Sequence, residues 1–174
     1  MRAFTTLLLL LLTGTLFAPS VNKSAEKEIT HNDVKSFVYK WFANIEKKED
    51  RKFFHKHLPK EKIDMLFPDF PIRTTEEFDR WYEMELDKLS WNSHDISELK
   101  VNGNETLGWK ISIDLTWETK TENNKANYLN QTHTWDVVAD NKQNFVIKKF
   151  RVKNKEVKNP YAQQEQNTNW KAVF

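Results

Sequence analysis

The sequence contains no cysteine, which excludes a disulfide framework, a thiolate metal site and a lipid-modified cysteine. Glycine is nearly as scarce. Gly14, Gly103 and Gly108 are the only three, and their isolation rules out a glycine-rich phosphate cradle. Neither the G-x-S-x-G nor the H-E-x-x-H pattern of familiar hydrolases occurs. Charge of one sign is also missing: 27 Lys and Arg against 25 Asp and Glu leave a formal +2, no electrostatic footprint for nucleic acid or an anionic membrane. No apolar run approaches the ~20 residues of a membrane span.

What the chain does have begins with MRAFTTLLLLLLTGTLFAPS, a single positive charge at Arg2, an apolar stretch from Leu7 to Leu12 and small residues near position 20. This is the layout of a signal peptide, with cleavage expected after Ser20 and a mature chain starting near Val21. The alternative is an uncleaved anchor. Loss of residues 1–20 removes Arg2 and no acid, so the formal charge falls from +2 to +1. Secretion or export to a periplasm, with no membrane contact after cleavage, is the expected address. With no disulfides, stability there must come from a core. Residues 21–174 suffice to bury ~70% of the unfolded surface in one domain, and seven tryptophans and twelve phenylalanines supply the bulk.

Residues 21–28 are polar and read as a flexible lead-in, and 154–174 as a polar tail. Between them, Val34, Phe37, Val38, Trp41, Phe42 and Ile45 recur at steps of three and four and predict an amphipathic helix, with Thr30 and Asp33 as a capping box. DRKFFHKHL (50–58) and KEKIDMLF (60–67), each stopped by proline, predict short helices. Thr74 and Glu77 start a third, with Phe78, Trp81, Tyr82, Leu86 and Leu89 on its apolar face. After Trp91 the period becomes two. HDISELKV (94–101), a turn at Asn102-Gly103-Asn104, then Trp109 to Glu118, YLNQTHTWDVVA and NFVIKKFRV read as an antiparallel meander, with a bulge near Lys148-Lys149. Helices first and strands second imply an α+β fold with the N-terminal helices packed in the concave face of a curved antiparallel sheet.

This order, a long helix at 30–47, the short DRKFF helix, a third helix at 75–90 leading into a strand, and long hairpins ending in FVIKKFRV, resembles the nuclear-transport-factor-2-like cone fold with its SnoaL-like members. The resemblance covers residues 29–153. It implies a cone with an internal pocket, found in isomerases, dehydratases and cyclases as well as in binding and dimerising domains. No catalytic residue of that superfamily carries over to a position here.

The strand QTHTWDVV places Gln131, His133, Trp135 and Val137 on one face. Facing the cone interior, His133 would be a general base, with Glu85 on the third helix as its carboxylate partner and Tyr82 assisting. Gln131 would orient a polar group, Trp81, Trp109, Trp117 and Trp135 would form apolar walls, and His55 would stand near the mouth. The alternative for His133 is a structural histidine with its partners satisfied. His55 and His57, with Glu61 four residues on, have metal-like spacing, yet residues two apart on a helix point ~200° apart. No metal or cofactor is therefore expected. Asp114 and Asp136 belong to the outer sheet face, as cross-strand partners of lysines; that face is also a candidate homodimer contact. The leading expectation is a binder of a small apolar or aromatic molecule. Its alternatives are a cofactor-free isomerase, dehydratase or cyclase, and a dimerising interaction module; three or more polar groups converging inside the cone would favour the enzyme.

Overall fold

The structure is a computed structural model that describes residues 28–123 and 125–155. The expected leader, most of the lead-in and most of the tail lie outside these residues. Helix α1 spans His31–Glu46, and Thr30 caps it by accepting from the Asp33 backbone while Asp33 reaches back to the Thr30 N–H at 2.9 Å. Its six apolar stripe residues are all buried. A one-turn helix α2 (Lys52–His55) buries Phe54. Helix α3 (Thr75–Trp81), capped by the Thr74 side chain, continues into a π-helical turn at Tyr82–Leu86.

Two short strands, β1 (Met65–Leu66) and β2 (Pro71–Ile72), precede four others: β3 (Leu89–Asn104), β4 (Gly108–Thr121), β5 (Ala126–Ala139) and β6 (Phe145–Asn154). They form one curved, unclosed sheet in the order β2-β1-β6-β5-β4-β3. All neighbours are antiparallel except β1 and β6, so the sheet is mixed.

The helix expected at 60–67 is thus corrected to strand β1. Ile63 and Met65 are buried on either side of a half-buried Asp64, a period of two concealed among helix-forming lysines and glutamates. The segment completes the edge of β6: Phe150 donates its N–H to the Asp64 carbonyl at 2.9 Å, and the Asp64 carboxylate is held by Arg73 at 2.7 Å and Arg151 at 2.6 Å. The turn expected at 102–104 is also displaced. Strand β3 runs through Asn104 and begins at Leu89 rather than 94, so the reversal falls at 105–107. Gly103 has φ +119°, and a Cβ there would lie 2.1 Å from the Gly108 carbonyl oxygen, which explains a glycine at the end of this hairpin. The expected bulge is present: Asp136 pairs with Lys149 and Val137 with Ile147, leaving Lys148 unopposed.

The core lies between α1 and the concave face. Trp135 stacks on Phe150 with ring centroids 5.0 Å apart, and Trp41 meets Trp135 edge-on at 5.9 Å. On the outer face Asp114 accepts from Thr132 at 2.7 Å and pairs with Lys155 at 2.7 Å.

Candidate functional site

The aromatic core fills one end of the cone and leaves space at the other. There, an inner cavity of about 30 Å³ is bounded by Trp41, Phe42 and Ile45 of α1, by Leu86 of the π turn, by His94 and by His133. It abuts an outer compartment of about 180 Å³, bordered by Phe70, Asp69, Glu85, Leu129 and Asn154. Phe67, Trp81, Trp117 and Gln131 are walls of both. The inner space suits a water or two. The outer one has room for an aromatic ring.

The site draws on five strands, two helices and the loop at 67–70. Period-two alternation turns Trp117 of β4 and Gln131 and His133 of β5 inward, in register pairs Trp117–Leu129 and Ile113–His133. The π turn inserts one extra residue into the last helical turn, and such turns are frequent at functional sites. It buries Leu86 against the inner cavity while Glu85 stays exposed at the mouth. Arg51 holds this turn through Glu83 at 2.9 Å and Asp87 at 3.6 Å.

His133 is 4% exposed. Gln131 donates its amide N–H to Asn154 Oδ1 at 3.0 Å, which fixes its carbonyl oxygen toward His133 Nε2, also at 3.0 Å. His133 therefore donates through Nε2, and its Nδ1 lone pair has no hydrogen-bond partner. Burial, reinforced by nearby His94, pushes its pKa down to about 3. The ring is neutral at neutral pH, and an imidazole so reluctant to hold a proton is a poor general base. The expected pairing with Glu85 is replaced by the Gln131 contact.

A second histidine, unnoticed in the sequence, has the carboxylate that His133 lacks. His94 donates from Nδ1 to Glu46 Oε1 at 3.2 Å, and the same oxygen accepts the His94 backbone N–H at 2.6 Å. The ring packs on Phe42 at 4.7 Å and lies parallel to Trp117 at 5.9 Å. Burial lowers the His94 pKa despite the opposing carboxylate. Burial would raise that of Glu46, but its hydrogen bonds to His94 leave it below the ordinary value. The pair therefore rests as a neutral imidazole donating to a carboxylate, with Nε2 carrying the free lone pair. A signal existed: Glu46 follows Ile45 at the end of the α1 stripe. His94 gave none, because its strand begins five residues earlier than the alternation suggests.

The remaining expected site residues divide. Trp81, Trp117 and Gln131 border both compartments. Trp135 is packed within the core, and Trp109 lies at the far end against Phe145 at 5.7 Å. Tyr82 borders neither compartment; its hydroxyl donates to the Glu49 carbonyl at 3.0 Å, and burial pushes its pKa up to about 12. His55 is paired with Asp79 at 2.7 Å beside a separate groove. His57 binds the Phe145 carbonyl at 2.7 Å, so the two histidines of H-K-H serve different partners. Among the described residues no cluster of three or more potential metal ligands occurs.

No protein-family model matches the sequence, and no curated protein matches it. Solved structures do match the fold. A nuclear transport factor 2-like superfamily protein from Salmonella enterica serovar Typhimurium aligns at TM-score 0.63 and 8% identity, over 71% of this chain and 89% of its own. A Novosphingobium aromaticivorans protein provisionally named a scytalone dehydratase aligns at 0.62 and 8%, over 70% and 81%. Nuclear transport factor 2 from Cryptosporidium parvum aligns at 0.57 and 8%, over 70% and 90%. The chain has the nuclear-transport-factor-2-like cone fold, as its element order implied.

The environment of His133 makes a pH-dependent prediction. An unfolded chain takes up a proton on His133 below its ordinary pKa of ~6.5 and the folded chain does not, so this residue lowers stability as pH falls toward 3. In urea unfolding, His133→Leu is expected to cost about 1–3 kcal/mol at pH 7, because Gln131 loses its partner. At pH 5 the deficit should shrink by about 2 kcal/mol. An equal deficit at both values would show that His133 titrates normally.

Proposed function

We propose that this chain is a small-ligand-binding protein whose cleft accepts a molecule of about one aromatic ring. The observation that carries this reading is the outer compartment of about 180 Å³, with Trp81, Trp117, Phe67, Phe70 and Gln131 among its walls. Apolar walls with a few convergent polar groups are the usual composition of such sites. The volume sets the ligand class. Pockets for drug-sized ligands run to ~300–1,000 Å³, so this smaller compartment suits a ligand of about one ring. The fold is one that also carries a protein provisionally named a dehydratase, which is compatible with a ligand site at this end of the cone.

The leader-like pattern of residues 1–20 adds an address outside the cytoplasm to this reading. Expressed with that segment, the exported chain should have Val21 as its first residue on amino-terminal sequencing, and recovery of the intact Met1 chain would contradict export with cleavage.

Benzyl alcohol titrated into the full chain and followed by tryptophan fluorescence is expected to bind with Kd on the order of 0.1–1 mM, appropriate to so few atoms. Leu129→Trp, which places an indole in the outer compartment, should weaken binding at least tenfold with the fold intact by circular dichroism. Unchanged binding in that variant, or none in the parent chain, would refute the cleft as the site.

The Glu46–His94 pair favours a second reading, cofactor-free proton abstraction next to a carbonyl. A neutral histidine oriented by a carboxylate is equipped to take a proton at Nε2 by way of a water in the inner cavity, and Gln131 and the Trp117 N–H are polar groups on the same walls. With acetophenone as probe in D₂O, methyl hydrogen exchange followed by NMR should exceed the buffer rate and fall to it in His94→Gln. Exchange at the buffer rate in the parent chain would leave binding alone.

A further inference from the structure

We propose that the mouth of this cleft selects organic cations: a single-ring ammonium whose apolar body lies among the aromatic walls and whose charged head meets Asp69 and Glu85. The inference rests on the reading of the cleft as a ligand site and names the class of ligand it takes.

The first observation is one of charge. Asp69 and Glu85 both border the outer compartment, and no lysine, arginine or histidine borders it. The chain is close to charge balance, so this asymmetry is local. Several other acids are neutralised: Asp64 by two arginines, Glu83 and Asp87 by Arg51, Asp114 by Lys155. Asp69 and Glu85 have no ion-pair partner among the described residues, and both are exposed. An anionic ligand would bring its charge toward two carboxylates with no cation to receive it.

The second observation is the kind of apolar wall. Phe67 and Trp81 are stacked with centroids 4.5 Å apart and 23° between planes, beside Trp117 and Phe70. Aromatic faces with carboxylates at their rim are what an ammonium requires, since the ring quadrupole and the acid both attract positive charge. A neutral ring would be served by the walls alone.

The third observation is independent of the acids and points to a ligand. His133, 4% exposed, has an unpartnered Nδ1, and it lines the inner cavity behind Trp117 and Gln131. Trp117, a wall of both compartments, has an indole N–H that is likewise buried and unpartnered. Buried polar atoms without partners are uncommon. Of the seven such atoms among the described residues, those of His133, Trp117 and Trp41 belong to walls of the inner cavity, and the two carboxylates stand at the entrance in front of them.

The test compares three probes of one ring each by isothermal titration calorimetry on the full chain at low salt: benzyltrimethylammonium, benzyl alcohol and phenylacetate. The ammonium is expected to bind at least tenfold more tightly than the alcohol, with phenylacetate the weakest. The double variant Asp69→Asn, Glu85→Gln should bring the ratio of ammonium to alcohol affinity down to about one, with the fold intact by circular dichroism, because both side chains are exposed and without an ion-pair partner. Equal binding of ammonium and alcohol by the parent chain, or tighter binding of phenylacetate, would overturn cation selection while the cleft remains a ligand site. Absence of binding by all three would overturn both.

Discussion

Everything in this molecule follows from the packing of the α1 stripe onto the concave face of the sheet. Trp41 and Phe42 meet Trp135 at 5.9 and 5.6 Å, and Trp135 stacks on Phe150. Each large aromatic buries on the order of 150–250 Å², so a few of them close the cone without disulfides. The contact fixes how deep α1 sits. It also fixes where the cone cannot be hollow, because the middle is occupied by indole and phenyl rings.

The candidate site is therefore a remainder, the end of the cone where the stripe runs out. Past Phe42 and Ile45 the helix ends at Glu46, and its carboxylate reaches across to His94 on β3. The same packing that orders the core thus delivers an acid to the cavity wall. Polar groups are tolerated here because they partner one another: Asn154 fixes Gln131, Gln131 fixes His133, and Glu46 fixes His94. Of the seven buried polar side-chain atoms without a partner among the described residues, three, His133 Nδ1 and the indole nitrogens of Trp41 and Trp117, belong to residues that line this cavity. Buried polar atoms left without partners ordinarily lower stability, and their grouping gives the site its chemical character.

The sequence made the long helix, the hairpin strands and the bulge at Lys148 legible because each depends on local periodicity. The segment at 60–67 was not legible for a physical reason: its residues favour a helix, and only pairing with β6 decides for a strand. Of the site, the inward row of Gln131, His133 and Trp135 followed from alternation. Their roles did not. Depth of burial makes His133 a neutral, weakly basic ring, and Trp135 became core because Trp41 occupies the space in front of it. The Glu46–His94 pair joins residues 48 apart in sequence, and no local pattern encodes that meeting. The acidic, aromatic mouth is equally non-local, drawn from the 67–70 loop, α3 with its π turn, β4, β5 and β6.

The most direct measurement is the set of indole N–H resonances in a ¹H–¹⁵N NMR spectrum of the full chain as benzyl alcohol is added. Trp81 and Trp117 border the outer compartment and Trp41 the inner one, whereas Trp109 lies at the opposite end of the cone. The account predicts that the signals of Trp81, Trp117 and Trp41 move while that of Trp109 stays fixed. Movement of Trp109 with the others unmoved, or no movement at all, would contradict it.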